Sequence, residues 1–166
     1  MKLNAYLGID PGQSGGLALV VWHTLSKGPK VRRISKMPAT ETDIHQLFVD
    51  WCCTVAYPFK PLATIEAVHA MPKQGVSSAF TFGRGYGFLR GCLIASQVSF
   101  QEVQPRAWQK GLGITPRRKT ETKVQFKNRL KGFAQQRFPG VEGINLATAD
   151  ALLIALYACL RMEGKL

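Results

Sequence analysis

Three apolar segments of this chain each meet a carboxylate at one end, and this pattern restricts the possible folds more than any other feature. Tyr6-Leu7-Gly8-Ile9 runs into Asp10, and Leu62-Ala63-Thr64-Ile65 runs into Glu66. Asp150 precedes Ala151-Leu152-Leu153-Ile154-Ala155-Leu156-Tyr157-Ala158-Cys159-Leu160. Runs this apolar belong in a core, whereas a carboxylate is stable there only when something offsets its charge. The last run is about half the length needed to span a bilayer, so it reads as an internal element and not a membrane anchor.

The rest of the chain supplies the layers around those runs. Residues 4–9 and 15–22 read as two strands joined by the turn Asp10-Pro11-Gly12-Gln13-Ser14-Gly15, with residues 31–34 as a third, more exposed strand. Ile44, Leu47, Phe48, Trp51 and Val55 recur at steps of three and four and predict a helix over 42–55. A strand at 62–65 follows, then a small-residue helix over 77–99 and a strand at 98–103. Pro105 opens a short helix, a basic helix covers 119–138, and a last one covers 146–162. Strands first, then strands alternating with helices, argue for an α/β fold with a mixed central sheet flanked by helices. There is no linker or repeat, so residues 1–166 are expected to form one domain.

Composition sets the partner. The 22 Lys and Arg against 10 Asp and Glu give a net charge of +12, which favours a polyanion over a neutral ligand. An anionic membrane surface would also satisfy that charge, but no run is long enough to cross one. The beginning of the chain shows no charged leader with an apolar core, so secretion is not expected. Cys52, Cys53, Cys92 and Cys159 match neither a zinc pattern nor a disulfide framework and read as buried thiols in a reducing compartment. That points to the cytoplasm or nucleoid, with an organelle or a phage-infected host cell left open.

Carboxylates at the ends of buried elements, within a strongly basic chain, imply metal-dependent chemistry on nucleic acid. Phosphodiester hydrolysis by two Mg2+ ions needs hard oxygen ligands and a carboxylate near both ions. Asp10 suits that central role, because Pro11-Gly12 turn the chain away from it. An isolated Asp-Pro-Gly is only a turn; Glu66 and Asp150 at comparable edges make it more. Mn2+ is expected to substitute.

At this point the sequence resembles a known family. Ile9-Asp10-Pro11-Gly12 with Ser14-Gly15-Gly16 looks like the opening of the RuvC-like Holliday-junction resolvases, which have the ribonuclease H-like fold. Ile65-Glu66, Met71-Pro72-Lys73-Gln74-Gly75, Phe82-Gly83-Arg84-Gly85-Tyr86-Gly87, Val103-Gln104-Pro105 with Trp108-Gln109-Lys110, and Ala149-Asp150-Ala151-Leu152-Leu153-Ile154-Ala155 follow in the same order. The likeness is nearer to the bacteriophage-type and plant-organelle members than to the bacterial housekeeping enzyme. It implies Asp10, Glu66 and Asp150 as metal ligands. It also implies a homodimer that cuts opposite strands of a four-way DNA junction. The family carries a fourth acidic or histidine ligand one helical turn before the last aspartate. Here that stretch reads Asn145-Leu146-Ala147-Thr148, leaving Asn145, with a weaker contact from Thr148, as the substitute. A junction-binding protein that cuts poorly is therefore one alternative, and a ribonuclease H-like RNA–DNA nuclease another.

The basic residues suggest where DNA would lie. Residues 105–138 hold ten Lys and Arg against the single acid Glu121. On a helix starting at 119, Lys119, Lys123 and Lys127 fall on one face and form a phosphate-binding stripe. Lys119 is expected to approach the reacting phosphate, with Arg117 and Arg118 on neighbouring ones. Lys73 and Gln74 are assigned to DNA contact in the loop that also carries His69 and Met71, and Arg84 to DNA contact among its glycines. Phe80 and Phe82 read as core or dimer residues, and Gly83, Gly85, Gly87 and Gly91 as sites of close helix contact within or between subunits.

Overall fold

Strands β1 (Asn4–Asp10) and β2 (Gly16–His23) are buried along nearly their whole length, which requires a sheet covered on both faces. The computed structural model describes residues 4–23, 25, 28–55, 60–68 and 75–166, with backbone alone at 53–55. With β3 (Gly28–Lys36), β4 (Leu62–Glu66) and β5 (Phe100–Val103) they form one five-stranded sheet, ordered β3-β2-β1-β4-β5. β1 pairs antiparallel with β2 and parallel with β4, so the sheet is mixed, as the sequence predicts.

Alternate residues face opposite layers, the period of a pleated strand. Ala5, Leu7, Ile9, Leu17, Leu19 and Val21 pack with Phe48, Trp51, Leu89 and Leu93 from α1 (Glu41–Val49), its π-helical continuation Asp50–Val55, and α2 (Val76–Ala95). Tyr6, Ala18, Val20 and Trp22 face α3 (Pro105–Gly111), α4 (Lys123–Arg137) and α5 (Ala149–Met162). Eleven of the fourteen residues of α5 are buried, which places it inside the molecule, packed on β1 and β2 and against α4. Gly8 permits the closest of these approaches. A Cβ there would collide with Ala151 O and Ala155 N, so strand and helix backbones touch directly.

Several boundaries differ from the sequence reading, each for a local reason. β3 extends to nine residues because pairing with β2 carries it beyond its apolar positions. The helix expected over 42–55 is α-helical to Val49 and π-helical after it. α2 stops at Ala95, where Gln97 takes a left-handed conformation at φ 54°. The last helix starts at Ala149, after a hydrogen-bonded turn. The basic helix starts at Lys123 and not at 119. Thr122 Oγ1 accepts from Gln125 N–H at 3.2 Å and Gln125 Oε1 from Thr122 N–H at 2.8 Å, a reciprocal cap that fixes the first turn. Gly83, Gly85, Gly87 and Gly91 would meet nothing within 4 Å among the described residues if given a Cβ, so they serve no close packing there. Cys52, Cys92 and Cys159 are buried, and burial pushes the Cys159 thiol up to about 12. Cys53 lies among residues whose side chains are not described.

Candidate active site

Asp10 and Glu66 end neighbouring parallel strands, so both side chains leave the sheet at its carboxyl edge. Open sheets bind ligands at this edge. Asp10 is two positions beyond Gly8, and so on the face covered by α5. Asp150 stands in the first turn of α5, beside Ala151, whose carbonyl lies against Gly8. The contact that seats the helix on the strand thus brings the aspartates together, and they are 9% and 5% exposed.

Their electrostatics show one coupled site. Burial, then the charges of Asp150 and Glu66, raise Asp10 from 3.8 to about 7, against the pull of Lys127. Burial likewise raises Glu66, which Trp108 opposes by donating its indole N–H to Glu66 Oε1 at 2.9 Å. Trp108 is fully buried, so it fixes that carboxylate rigidly. Asp150 Oδ1 is buried with no hydrogen-bond partner among the described residues, and its Oδ2 accepts from Lys127 Nζ. The same ammonium is 3.9 Å from Asp10 Oδ2. Burial works against the charge on Lys127, but Asp150, Asp10 and Glu66 together raise its pKa.

Lys127 therefore belongs to the carboxylate site, whereas the sequence placed it on a docking stripe. Lys119 lies in the exposed turn before α4, and its side chain has no ion pair or hydrogen bond among the described residues. The capped start of α4 is the signal that separates them, since it removes Lys119 from the helix. Trp108 entered the sequence reading only as a point of likeness; a tertiary hydrogen bond from a buried indole leaves no trace in periodicity.

The remaining candidates have definite places. Asn145 is committed to its own turn: Oδ1 accepts from Ala147 N–H at 2.9 Å and Nδ2 donates to Gly143 O at 3.2 Å. Thr148 Oγ1 donates to Gly143 O at 2.7 Å. Both side chains therefore engage this turn, with Asn145 exposed at its start. Arg117, Arg118 and Lys123 are exposed. Arg84 on α2 pairs with Glu41 at 3.5 Å, beside a groove of about 660 Å³ bordered by Pro11, Gly12, Phe82 and Tyr86. Phe80 is 71% exposed and is not a core residue. His69, Met71, Lys73 and Gln74 lie outside the described residues.

The donor chemistry fits a hard divalent cation: two buried aspartates, a third carboxylate and an orphaned oxygen. Among the described residues, however, no three His, Cys, Asp or Glu side chains already stand in a geometry to hold one. Lys127 now bridges two of them.

The sheet order and the two helical layers define the ribonuclease H-like fold. More narrowly, the chain has its RuvC-type form. It is similar to Thermus thermophilus RuvC in complex with a Holliday-junction substrate, at 17% identity and TM-score 0.60, over 97% of each chain. A second structure of T. thermophilus RuvC matches at 19% identity and TM-score 0.55, again over 97% of each. The fowlpox virus Holliday-junction resolvase matches at 14% identity and TM-score 0.51, over 98% of this chain and 99% of that one. No family model and no curated protein matches the sequence.

Proposed function

We propose that this protein is a metal-dependent endonuclease that resolves four-way DNA junctions by paired nicks. The observation that carries the reading is the convergence of Asp10, Glu66 and Asp150 with Lys127 at one sheet edge, in a chain of net charge +12. The RuvC-type fold, shared with a protein seen on a Holliday junction, supports it. Two Mg2+ ions, when bound, would supply the charge that activates water and neutralises the phosphate; Mn2+ has the same oxygen chemistry. Asp10, Glu66 and Asp150 are the residues that would hold them. Trp108 keeps one oxygen of Glu66 engaged and so presents the other. Lys127 balances the carboxylates in the metal-free protein. Its ammonium, beside Asp150 and 3.9 Å from Asp10 Oδ2, would also stabilise negative charge developing on a phosphate at this edge.

A nicking assay on a mobile four-way junction in Mg2+ tests this. Symmetric nicks support the proposal, and degradation of linear DNA or RNA without branch preference overturns it. Preferential cutting of an RNA–DNA hybrid would favour the ribonuclease H-like reading. Tight branch binding with no products at any Mg2+ or Mn2+ concentration would favour a junction-binding protein that does not cut.

The two lysines separate docking from chemistry. Lys127→Ala is expected to lower single-turnover cleavage about a hundredfold with little change in junction affinity. Lys119→Ala is expected to weaken binding and lower the salt slope by about one, with cleavage at saturation retained. Similar losses in both variants would return them to a shared docking role. Trp108→Phe keeps most of the packing but frees Glu66. Cleavage should then need several-fold more Mg2+ for half-saturation and recover at saturating metal; an unchanged requirement would leave the indole a purely structural part.

Symmetric nicks imply two sites, and α2 offers a surface for a second copy. Val76, Phe80, Gly83, Gly87, Gly91 and Ile94 fall at steps of three and four on one face, with Val76, Phe80 and Ile94 exposed and open space over the glycines. Two such smooth faces can meet at close range. Gly87→Leu is expected to convert a sedimenting dimer to a folded monomer; an undisturbed dimer would move the interface elsewhere.

A further inference from the structure

Arg117, Arg118 and Lys119 are consecutive exposed cations in the turn before α4, and three adjacent like charges favour an open, mobile chain. The turn is instead closed by a single ion pair. Arg129 Nε and Nη2 donate to Glu121 Oε1 and Oε2, each at 2.9 Å, a two-pronged geometry. Its Nη1 reaches both Thr115 O and Thr115 Oγ1 at 3.0 Å, and Nη2 reaches Pro116 O at 3.2 Å. Glu121 binds back into the same turn: its Oε2 accepts Arg118 N–H at 3.1 Å, and its carbonyl accepts from Arg117 Nη1 at 2.9 Å. The guanidinium of Arg129 also lies 4.8 Å from the centre of the Phe126 ring. The hydrogen bonds from Arg129 hold the Glu121 carboxyl down to about 2, so the pair persists at every pH of use.

The one acid in this basic segment therefore faces inward to the protein, with its side chain 13% exposed, while the cations face solvent. We propose that Glu121 and Arg129 are positioning residues, which pre-form the 115–121 turn as a clasp for nucleic-acid phosphates. This rests on the nucleic-acid reading above. A pre-formed turn spares the ordering loss that a flexible basic loop meets on binding. It also sets Arg118 and Lys119 immediately ahead of the helix that carries Lys127 into the carboxylate site.

The test turns on a difference of sign. Simple electrostatics says that neutralising an acid within a DNA-binding surface tightens binding. A positioning role says the opposite. Glu121→Gln is expected to bind a four-way junction about fivefold more weakly than wild type despite its added net positive charge. Trypsin should also cut it faster at Arg117, Arg118 and Lys119. Arg129→Lys keeps the charge but loses the two-pronged pairing, and it should show both effects; it carries the test if Glu121→Gln fails to fold. Undiminished or tighter binding, with wild-type resistance to trypsin, would overturn the role. Wild-type protein that binds neither branched nor linear DNA would instead overturn the nucleic-acid reading itself, and this role with it.

Discussion

Asp10→Asn is expected to abolish junction nicking, by a factor on the order of a thousand or more, and to make the metal-free protein more stable. Both effects come from one buried charge. Asp10 is raised from 3.8 to about 7 on folding, so within that pH window the folded chain keeps a proton that the unfolded chain releases. Acid therefore favours the folded state through this group, and metal-free stability falls as pH rises from about 4 to about 7. Above that window the penalty has an upper bound of ~4 kcal/mol. Asparagine removes it while keeping the shape. The melting temperature at pH 8 should rise by several degrees, and the fall between pH 4 and 7 should flatten. A divalent cation should stabilise the wild type and do little for the variant. Its affinity for the wild type should climb with pH up to about 7, as the competing proton is lost. A variant that nicks normally, or melts below wild type at pH 8, would remove Asp10 from the centre of the site.

Gly8→Ala should strongly impair folding although it adds only a single methyl group. The added carbon collides with backbone atoms of Ala151 and Ala155, which cannot swing away as a side-chain end can. To accommodate it, α5 must lift from β1, parting Asp10 from Asp150 and opening the most apolar layer of the molecule. A loss of more than ~4 kcal/mol is expected, in the range where one substitution prevents folding. Gly132→Ala in α4 is the matched control, since its added carbon meets nothing within 4 Å. That variant should gain ~0.5–1 kcal/mol from helix propensity. Urea titration of the pair distinguishes a steric cause from a general intolerance of glycine replacement.

The carboxylate trio was legible in the sequence because each member stands at the end of an apolar run. Such a run announces both a buried element and the point at which it reaches the surface. The mixed sheet with helices on its faces was legible for the same reason. Lys127 was not, because spacing alone places Lys119, Lys123 and Lys127 on one face of any helix long enough to hold them. Thr122 and Gln125 decide where that helix begins, and their reciprocal cap excludes Lys119. The glycines of α2 showed that something is close to that helix or can be, but not whether it belongs to the same chain. Trp108 and Glu66 are 42 residues apart, and only the tertiary fold makes them partners.

All three carboxylates hang from well-buried elements: the final residues of two inner strands and the first turn of a helix with eleven of its fourteen residues buried. Such backbone has no local route to opening. The amide protons around Ile9, Ile65 and Leu152 should exchange with solvent deuterium only when the whole chain unfolds, whereas those of the 115–121 turn should exchange by brief local excursions. Heat or denaturant should accordingly remove catalysis and global structure at one midpoint, with no inactive folded form in between. On the proposed reading, regulation would act on the approach of DNA, because these carboxylates stay fixed while the protein stays folded.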